Sequence, residues 1–225
     1  MVGRLGSGTL SDVSRCPYCS VANPNLGEIW VSEEPVPRST PGPTYMWGLY
    51  RCASCGGVVL ARGMPNNHNN NVQVEVLLPE PKRAHEDIPE PARTFLQQAL
   101  ETLHAPDAAA VMAGSAVDAM LKDLGYTDGS VYARIETAVA QHKLTEGMGD
   151  WAHEVRLGSN RPRHADAEKP HVSSQEANQS VEFAEALGFF LFVLTKRIER
   201  GTAAAKAAPA APQVSNAPAP ITPIN

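Results

Sequence analysis

The sequence predicts a small zinc-ribbon β domain over residues 1–84, followed by an all-α antiparallel helical bundle over residues 85–200 and a disordered tail over residues 201–225. Three observations support this division. The only four cysteines form two tight pairs, strand-like apolar runs surround them, and a helical hydrophobic period begins near residue 89. With 225 residues, 43% of them hydrophobic, the chain can bury a core in each part.

The pairs Cys16-Pro-Tyr-Cys19 and Cys52-Ala-Ser-Cys55 have the spacing that lets two thiolates bind one metal ion. Two such pairs complete a closed tetrahedral shell of four sulfurs, which is typical of structural Zn²⁺. Two disulfides or a redox dithiol are the alternatives. Neither is favoured, because no secretory segment follows Met1 and because 32 residues without a helical pattern separate the pairs.

Short strand-like runs flank the cysteine pairs and predict the β structure of the ribbon. They cover residues 28–31, 46–51, 58–62 and 72–78. Prolines crowd the segment between the pairs, which predicts a loop. A polar, proline-bearing stretch over residues 79–91 then marks the change from strand to helix patterning, and places the boundary near residue 85.

The helical part shows five apolar stripes with helical spacing. The last is the longest: Ser173 and Glu176 have capping-box spacing, and an apolar face continues from there to Arg200. Five helices with short connections predict an antiparallel bundle. The first four stripes contain Phe95, Leu96, Leu100 and Leu103; Val117, Met120, Leu121 and Leu124; Val131, Ile135 and Val139; and Met148, Trp151 and Val155.

Composition excludes several classes of protein. The longest apolar run, residues 187–194, is too short to cross a bilayer, so the sequence predicts a cytoplasmic protein with no membrane partner. Residues 201–225 contain nine Ala and five Pro, which predicts the disordered tail. Residues 84–200 carry eleven Lys and Arg against eighteen Asp and Glu, so contact with nucleic acid must be local.

The densest basic cluster of this acidic part lies between the fourth and fifth predicted helices. It contains Arg156, Asn160, Arg161, Arg163 and His164. Arginines match the oxygens of phosphate, and a histidine moves protons near neutral pH, so the cluster suits a phosphate site or the cleavage of RNA without a metal. A turn in which the asparagine satisfies loop carbonyls is the favoured alternative.

The same segment carries a family resemblance. The run from Ala109 to Gly125, then Arg134-Ile135, then Arg156-x-x-x-Asn160-x-x-x-His164 resembles domain of unknown function 4145, a HEPN-like helical family, over about residues 88–200. The resemblance implies a homodimer through the helical part, and a ribonuclease in which Arg156, Asn160 and His164 are catalytic. The contact of Arg161 and Arg163 with phosphate is expected from guanidinium chemistry instead. The resemblance also implies association with prokaryotic defence genes and, in some members, an N-terminal zinc ribbon.

The sequence therefore predicts a zinc-binding protein with a HEPN-like domain that serves as a nucleic-acid- or protein-binding module. The alternative is a metal-independent endoribonuclease that uses Arg156 and His164 in a dimer, and whether the protein is an enzyme stays open. Trp30, Trp47 and Tyr50 have rings that can stack on bases, although packing inside the small β domain is favoured for them.

Overall fold

The computed structural model describes residues 4–6, 8–65, 72–164 and 167–207. Its N-terminal part is a six-stranded antiparallel sheet in the order β1-β6-β5-β4-β3-β2. The four longer strands contain the runs predicted from the sequence. The strands are β1 (Arg4–Leu5), β2 (Thr9–Leu10), β3 (Leu26–Val31), β4 (Met46–Cys52), β5 (Val58–Met64) and β6 (Val72–Leu78).

The two edges of this sheet meet. β1 pairs with β6 at one edge, and β2 pairs with β3 at the other. A short connection joins β1 to β2, and an antiparallel bridge between Arg4 and Ser11 brings the edges together. The sheet is therefore nearly closed and barrel-like.

The predicted zinc ribbon is wrong, because the cysteine pairs belong to this larger, barrel-like sheet. The prediction missed β1 and β2, which have two residues each and are too short to show an alternating pattern. Gly8, whose φ of +98° lies in the left-handed region, lets the chain reverse between them. Pairing of these strands with β6 and β3 is non-local, so no local sequence signal reports it.

Alternating side chains of the strands fill the inside of the barrel. Tyr50 is fully buried there, and its hydroxyl donates to the carbonyl of Gly6 over 3.3 Å. Gly48 lies on the same inward face, where a Cβ atom would come within 2.8 Å of Leu5. The inward residues form one hydrophobic core: Leu5, Leu10, Val13, Cys16, Leu26, Tyr50, Cys52, Val59, Ala61, Val74 and Leu77.

The rest of the described chain is helical. The helices are α1 (Ala92–Glu101), α2 (Pro106–Asp123), α3 (Val131–Ala140), α4 (Glu146–His164), α5 (Ser174–Gly188) and α6 (Leu194–Ala207). A π-helical segment, Phe189–Val193, joins α5 to α6. α2 is central, because it packs against α1, α3, α4 and α5. None of the helices in the described part of the chain has both the length and the apolar character needed to cross a membrane.

Several helix ends follow from local sequence. Pro106 occupies the first turn of α2, and Gly125, with φ of +94°, follows its end. The capping box predicted at α5 is confirmed: Ser173 accepts from the amide of Glu176, whose carboxylate accepts from the amide of Ser173. α6 continues to Ala207, beyond residue 201 where the tail was predicted to begin; residues 208–225 lie outside the described part of the chain.

Buried residues fall into two separate clusters, one inside the sheet and one among the helices. Charged side chains link the two parts of the chain. The guanidinium of Arg15 contacts both the carboxylate and the carbonyl oxygen of Glu101, at the end of α1, over 3.1 Å. Lys82, which follows β6, contacts Glu185 of α5 over 2.8 Å. The loop of the first cysteine pair is thus fixed against the helical part at the end of α1.

Candidate functional site

The first cysteine pair lies in the connection between β2 and β3. The amide of Cys16 donates to the carbonyl of Val21, and the amide of Ser20 donates to the carbonyl of Cys16, each over 3.0 Å. Ser20 has a φ of +57°, so the chain turns through the left-handed region directly after Cys19. This tight turn directs both sulfurs toward the same side.

The second pair lies between β4 and β5 and repeats this geometry. The amide of Gly56 donates to the carbonyl of Cys52 over 2.9 Å, and Gly56 has a φ of +75° directly after Cys55. The amide of Gly57 donates to the sulfur of Cys55 over 3.4 Å. Glycine suits position 56 because it adopts a positive φ without steric cost.

The four cysteine sulfurs converge. All four Sγ atoms lie within 4.8 Å of one another, and those of Cys16 and Cys55 are 3.8 Å apart. A tetrahedral ion with metal–sulfur bonds of about 2.3 Å separates its sulfurs by about 3.8 Å. All four thiols are free rather than joined in disulfides, so the group fits a metal ion. Cys16 and Cys52 are buried, whereas Cys19 is partly exposed and Cys55 is exposed.

The environment shifts the pKa values of the thiols in opposite directions. Burial raises the pKa of Cys16 to about 12 and also raises the pKa of Cys19. Burial opposes ionisation of Cys52 as well, but the amides of Cys55 and Ser54 and the neighbouring thiols lower its pKa to about 7. Four thiolates therefore share this space only when a cation lies between them, because the cation offsets their mutual repulsion.

Tyr18 fastens the two cysteine loops to each other. Its ring lies directly against Gly57, where any Cβ atom would collide with it. Its hydroxyl donates to the carbonyl of Val58 over 2.8 Å. The tyrosine inside the first pair thus explains the glycine after the second, a relation that sequence reasoning missed because the two positions are far apart in the chain.

A second candidate site is a cavity of about 500 Å³ in the helical part. α4 forms one wall through Arg156, Ser159, Asn160 and Arg163. α2 forms the facing wall, where Gly114 lets α4 approach closely: a Cβ atom there would lie 2.5 Å from the hydroxyl oxygen of Ser159. The remaining lining residues are Pro91, Phe95, Ser115, Val117, Asp118, Ala119, Lys122, Asp123, Val131, Ala152 and Val155.

Arg156 is a half-buried arginine that lines this cavity. Its guanidinium carbon lies 5.6 Å from the ring centre of Tyr132. Its Nε atom is buried, and no hydrogen-bond partner for it occurs within the described ranges. A donor that is buried without a partner loses the free energy of a hydrogen bond, so an acceptor inside the cavity would stabilise this arginine.

Neighbouring charges leave the cavity attractive to anions. The carboxylate of Asp118 contacts the ammonium of Lys122 over 2.6 Å and also pairs with Arg134. Arg163 donates over 2.6 Å to the hydroxyl of Ser115 and over 3.1 Å to a carbonyl of α2. Asp118 is thus neutralised by its two partners, and Arg156 and Arg163 outnumber Asp123, the other carboxylate that lines the cavity.

The basic cluster predicted between two helices is itself helical, since α4 continues through it to His164. Helical spacing divides the cluster: Asn160 joins Arg156 and Arg163 along the cavity, whereas Arg161 faces away and contacts Glu176 of α5 over 2.9 Å. His164 is exposed at the end of α4 and does not line the cavity. It is eight positions beyond Arg156 in the helix, a rise of about 12 Å.

Tyr132 lies between His153 and Arg156, and the sequence did not indicate that these three side chains form a group. The ring of His153 stacks on Tyr132 with centroids 4.5 Å apart, and its Nε2 atom lies 2.8 Å from a carboxylate oxygen of Glu136. Tyr132 thus contacts both His153 and Arg156. Only the spacing of His153 and Arg156 within α4 was visible in sequence, because Tyr132 and Glu136 belong to α3.

Comparison with known proteins finds one family model to which the helical part is similar. Residues 96–201 match the family model described as domain of unknown function (DUF4145), which confirms the resemblance seen in the sequence. The sheet and the four cysteines lie outside the match. Searches of curated proteins and of solved structures found no match. The HEPN-like assignment stays a prediction.

Proposed function

We propose that the protein is a zinc-stabilised nucleic-acid-binding module whose helical cavity holds a phosphate group of RNA. The observation that carries this proposal is the convergence of Arg156, Asn160 and Arg163 on one cavity, with a buried Nε atom of Arg156 that has no partner among the described residues. Guanidinium and amide donors are the groups that proteins use for phosphate oxygens.

The metal in this proposal is Zn²⁺. Four thiolates with tetrahedral spacing leave no open position for water or substrate, so the ion has a structural role. It ties the loop between β2 and β3 to the turn between β4 and β5. The residues that bind phosphate in this proposal therefore belong to the helical part.

The cavity suits one phosphate better than a long basic track. The helical part is acidic, and extended electrostatic binding of a duplex requires many phosphate contacts. A local site with Arg156, Asn160 and Arg163 instead favours a single-stranded or terminal phosphate that can enter a cavity of about 500 Å³. A role in prokaryotic defence stays a prediction that rests on the family resemblance.

Metal-independent cleavage of RNA is the alternative. Within one chain, Arg156 and His164 are two helical turns apart and His164 lies outside the cavity, so they do not face one phosphodiester together. Catalysis therefore requires a His164 from a second copy, and the predicted homodimer becomes a condition for activity. A chain that sediments as a monomer in the presence of RNA would exclude this alternative.

Binding of a labelled single-stranded RNA, followed by fluorescence anisotropy, tests the proposal. Arg156→Gln removes the charge and the fork of donors, so we expect binding weaker by roughly tenfold or more. Arg197→Gln, at an exposed arginine of α6, is the matched control and should bind like the wild type. Equal affinity of the Arg156→Gln variant and the wild type would contradict the proposal, and gels of the same samples report any cleavage.

A further inference from the structure

The outer face of the barrel-like sheet carries an apolar row that crosses four strands. Trp30 of β3 is opposite Leu49 of β4, Leu49 is opposite Leu60 of β5, and Leu60 is opposite Leu78 of β6. Trp30 is 48% exposed and Leu78 is 45% exposed. The core lies on the opposite face of the same strands, so this row is not needed to fill the barrel.

A second row beside it combines aromatic rings with an arginine. Trp47 of β4 is opposite Arg62 of β5, and Arg62 is opposite Val76 of β6. The guanidinium carbon of Arg62 lies 4.2 Å from the ring centre of Tyr45 and 5.5 Å from that of Trp47. Its Nε atom is buried and finds no hydrogen-bond partner in the described part of the chain.

These positions distinguish the three aromatic residues noted in the sequence. Tyr50 is fully buried and belongs to the core, as the packing interpretation expected. Trp30 and Trp47 point to the opposite face, and only Trp30 of the two is largely exposed. Trp30 thus shares one face of the sheet with the half-buried group of Tyr45, Trp47 and Arg62, unlike the isolated surface apolar residues that need no explanation.

The charge of this face indicates the kind of occupant. β4 and β5, the two central strands, carry Arg51 and Arg62 and no acidic residue. Of the neighbouring strands, β6 contributes the exposed Glu75. Glu28 of β3 is opposite the buried Tyr50, and its carboxylate accepts from the amide of Gly8. Cations among aromatic rings match a ligand that has flat apolar surfaces and negative charge together.

We propose that this outer face, formed by Trp30, Tyr45, Trp47 and Arg62, binds the bases of a single-stranded nucleic acid. The exposed indole of Trp30 provides a stacking surface, and the arginines contact the phosphates between successive bases. This sheet site is distinct from the helical cavity and holds bases rather than a single phosphate. It shares only the class of ligand with the proposed function.

A labelled oligouridylate of about ten nucleotides is the probe, because it forms no secondary structure and its length suits one sheet surface. We expect Trp30→Ala to weaken binding by roughly tenfold, since stacking of one base contributes about 1–3 kcal/mol. Arg62→Gln should weaken it as well. Phe190→Ala, at an exposed aromatic residue of the helical part, is the control and should bind like the wild type.

Tryptophan emission provides a second measurement. Stacking on Trp30 should quench emission when the oligouridylate is added, and the quenching should diminish in the Trp30→Ala variant. A change of fold alone would alter the emission before the probe is added, so the two effects are separable.

The outcomes separate this inference from the proposed function. If Trp30→Ala and Arg62→Gln bind the probe as the wild type does while Arg156→Gln binds more weakly, the sheet site is excluded and the cavity proposal stands. If the sheet variants are weakened and Arg156→Gln is unchanged, the sheet site is supported and the cavity proposal fails. A wild type that does not bind the probe overturns both and leaves the sheet face to a protein partner.

Discussion

At the scale of single residues, Gly114 sets the distance between α2 and α4 at the helical cavity. An added Cβ atom would lie 2.5 Å from the hydroxyl oxygen and 2.7 Å from the Cβ atom of Ser159, which is itself buried. Both contacts are shorter than packed atoms tolerate, so α4 would have to move. The positions of Arg156 and Asn160 along the cavity therefore depend on a residue that has no side chain.

Gly114→Ala should lower the free energy of unfolding by about 1–3 kcal/mol, because overpacking forces backbone shifts. Gly147→Ala is the matched control, since Gly147 is also helical but has open space around it; alanine there should be neutral or stabilising by up to about 1 kcal/mol. Urea unfolding measures both. A Gly114→Ala variant as stable as the Gly147→Ala variant would show that α2 and α4 are not closely packed.

At the scale of elements, α4 shows where sequence reasoning fails. Gly158, Ser159, Asn160 and Pro162 favour a turn by local propensity. Tertiary contacts override this preference, because Ser159 is buried against α2 and Arg163 donates to groups of α2. The cysteine pairs and the capping box of α5 were predictable, since a spacing of two or three residues determines each. The closure of the sheet was not, because it depends on pairing between distant strands.

The start of α5 carries a pH-dependent contribution to stability. The ammonium of Lys169, the amide of Ser173 and the guanidinium of Arg161 hold the pKa of Glu176 well below its usual value. The unfolded chain therefore binds a proton around pH 4.5 and below while the folded chain does not. Stability from this carboxylate is present above that pH and is lost as the pH falls.

We expect the free energy of unfolding to decrease as the pH falls below about 4.5, and to decrease less in the Glu176→Gln variant, which lacks the titrating group. Glu182→Gln, on the exposed face of the same helix, should retain the slope of the wild type. Denaturant unfolding between neutral pH and pH 3 measures the slopes. Identical slopes for the Glu176→Gln variant and the wild type would show that the Glu176 carboxylate does not contribute to the loss of stability in acid.

At the scale of the whole molecule, the cysteine centre connects parts that share no hydrophobic core. Cys16 and Cys52 are buried inside the sheet, while Arg15, the residue before Cys16, contacts Glu101 at the end of α1. A metal ion held by the four sulfurs would therefore fix the two cysteine loops and, through the first of them, one contact with the helices. The two candidate binding surfaces, one on the sheet and one beside α4, therefore lie on the two parts of the chain that this contact connects.

Native mass spectrometry of the purified chain tests this account most directly, because it counts bound ions in the folded protein. We expect one Zn²⁺ per chain, lost when Cys52→Ser removes a buried ligand, and retained when Ser39, an exposed residue outside both cysteine loops, is changed to Ala. A folded chain without metal, in which all four thiols react freely or have formed disulfides, would contradict it.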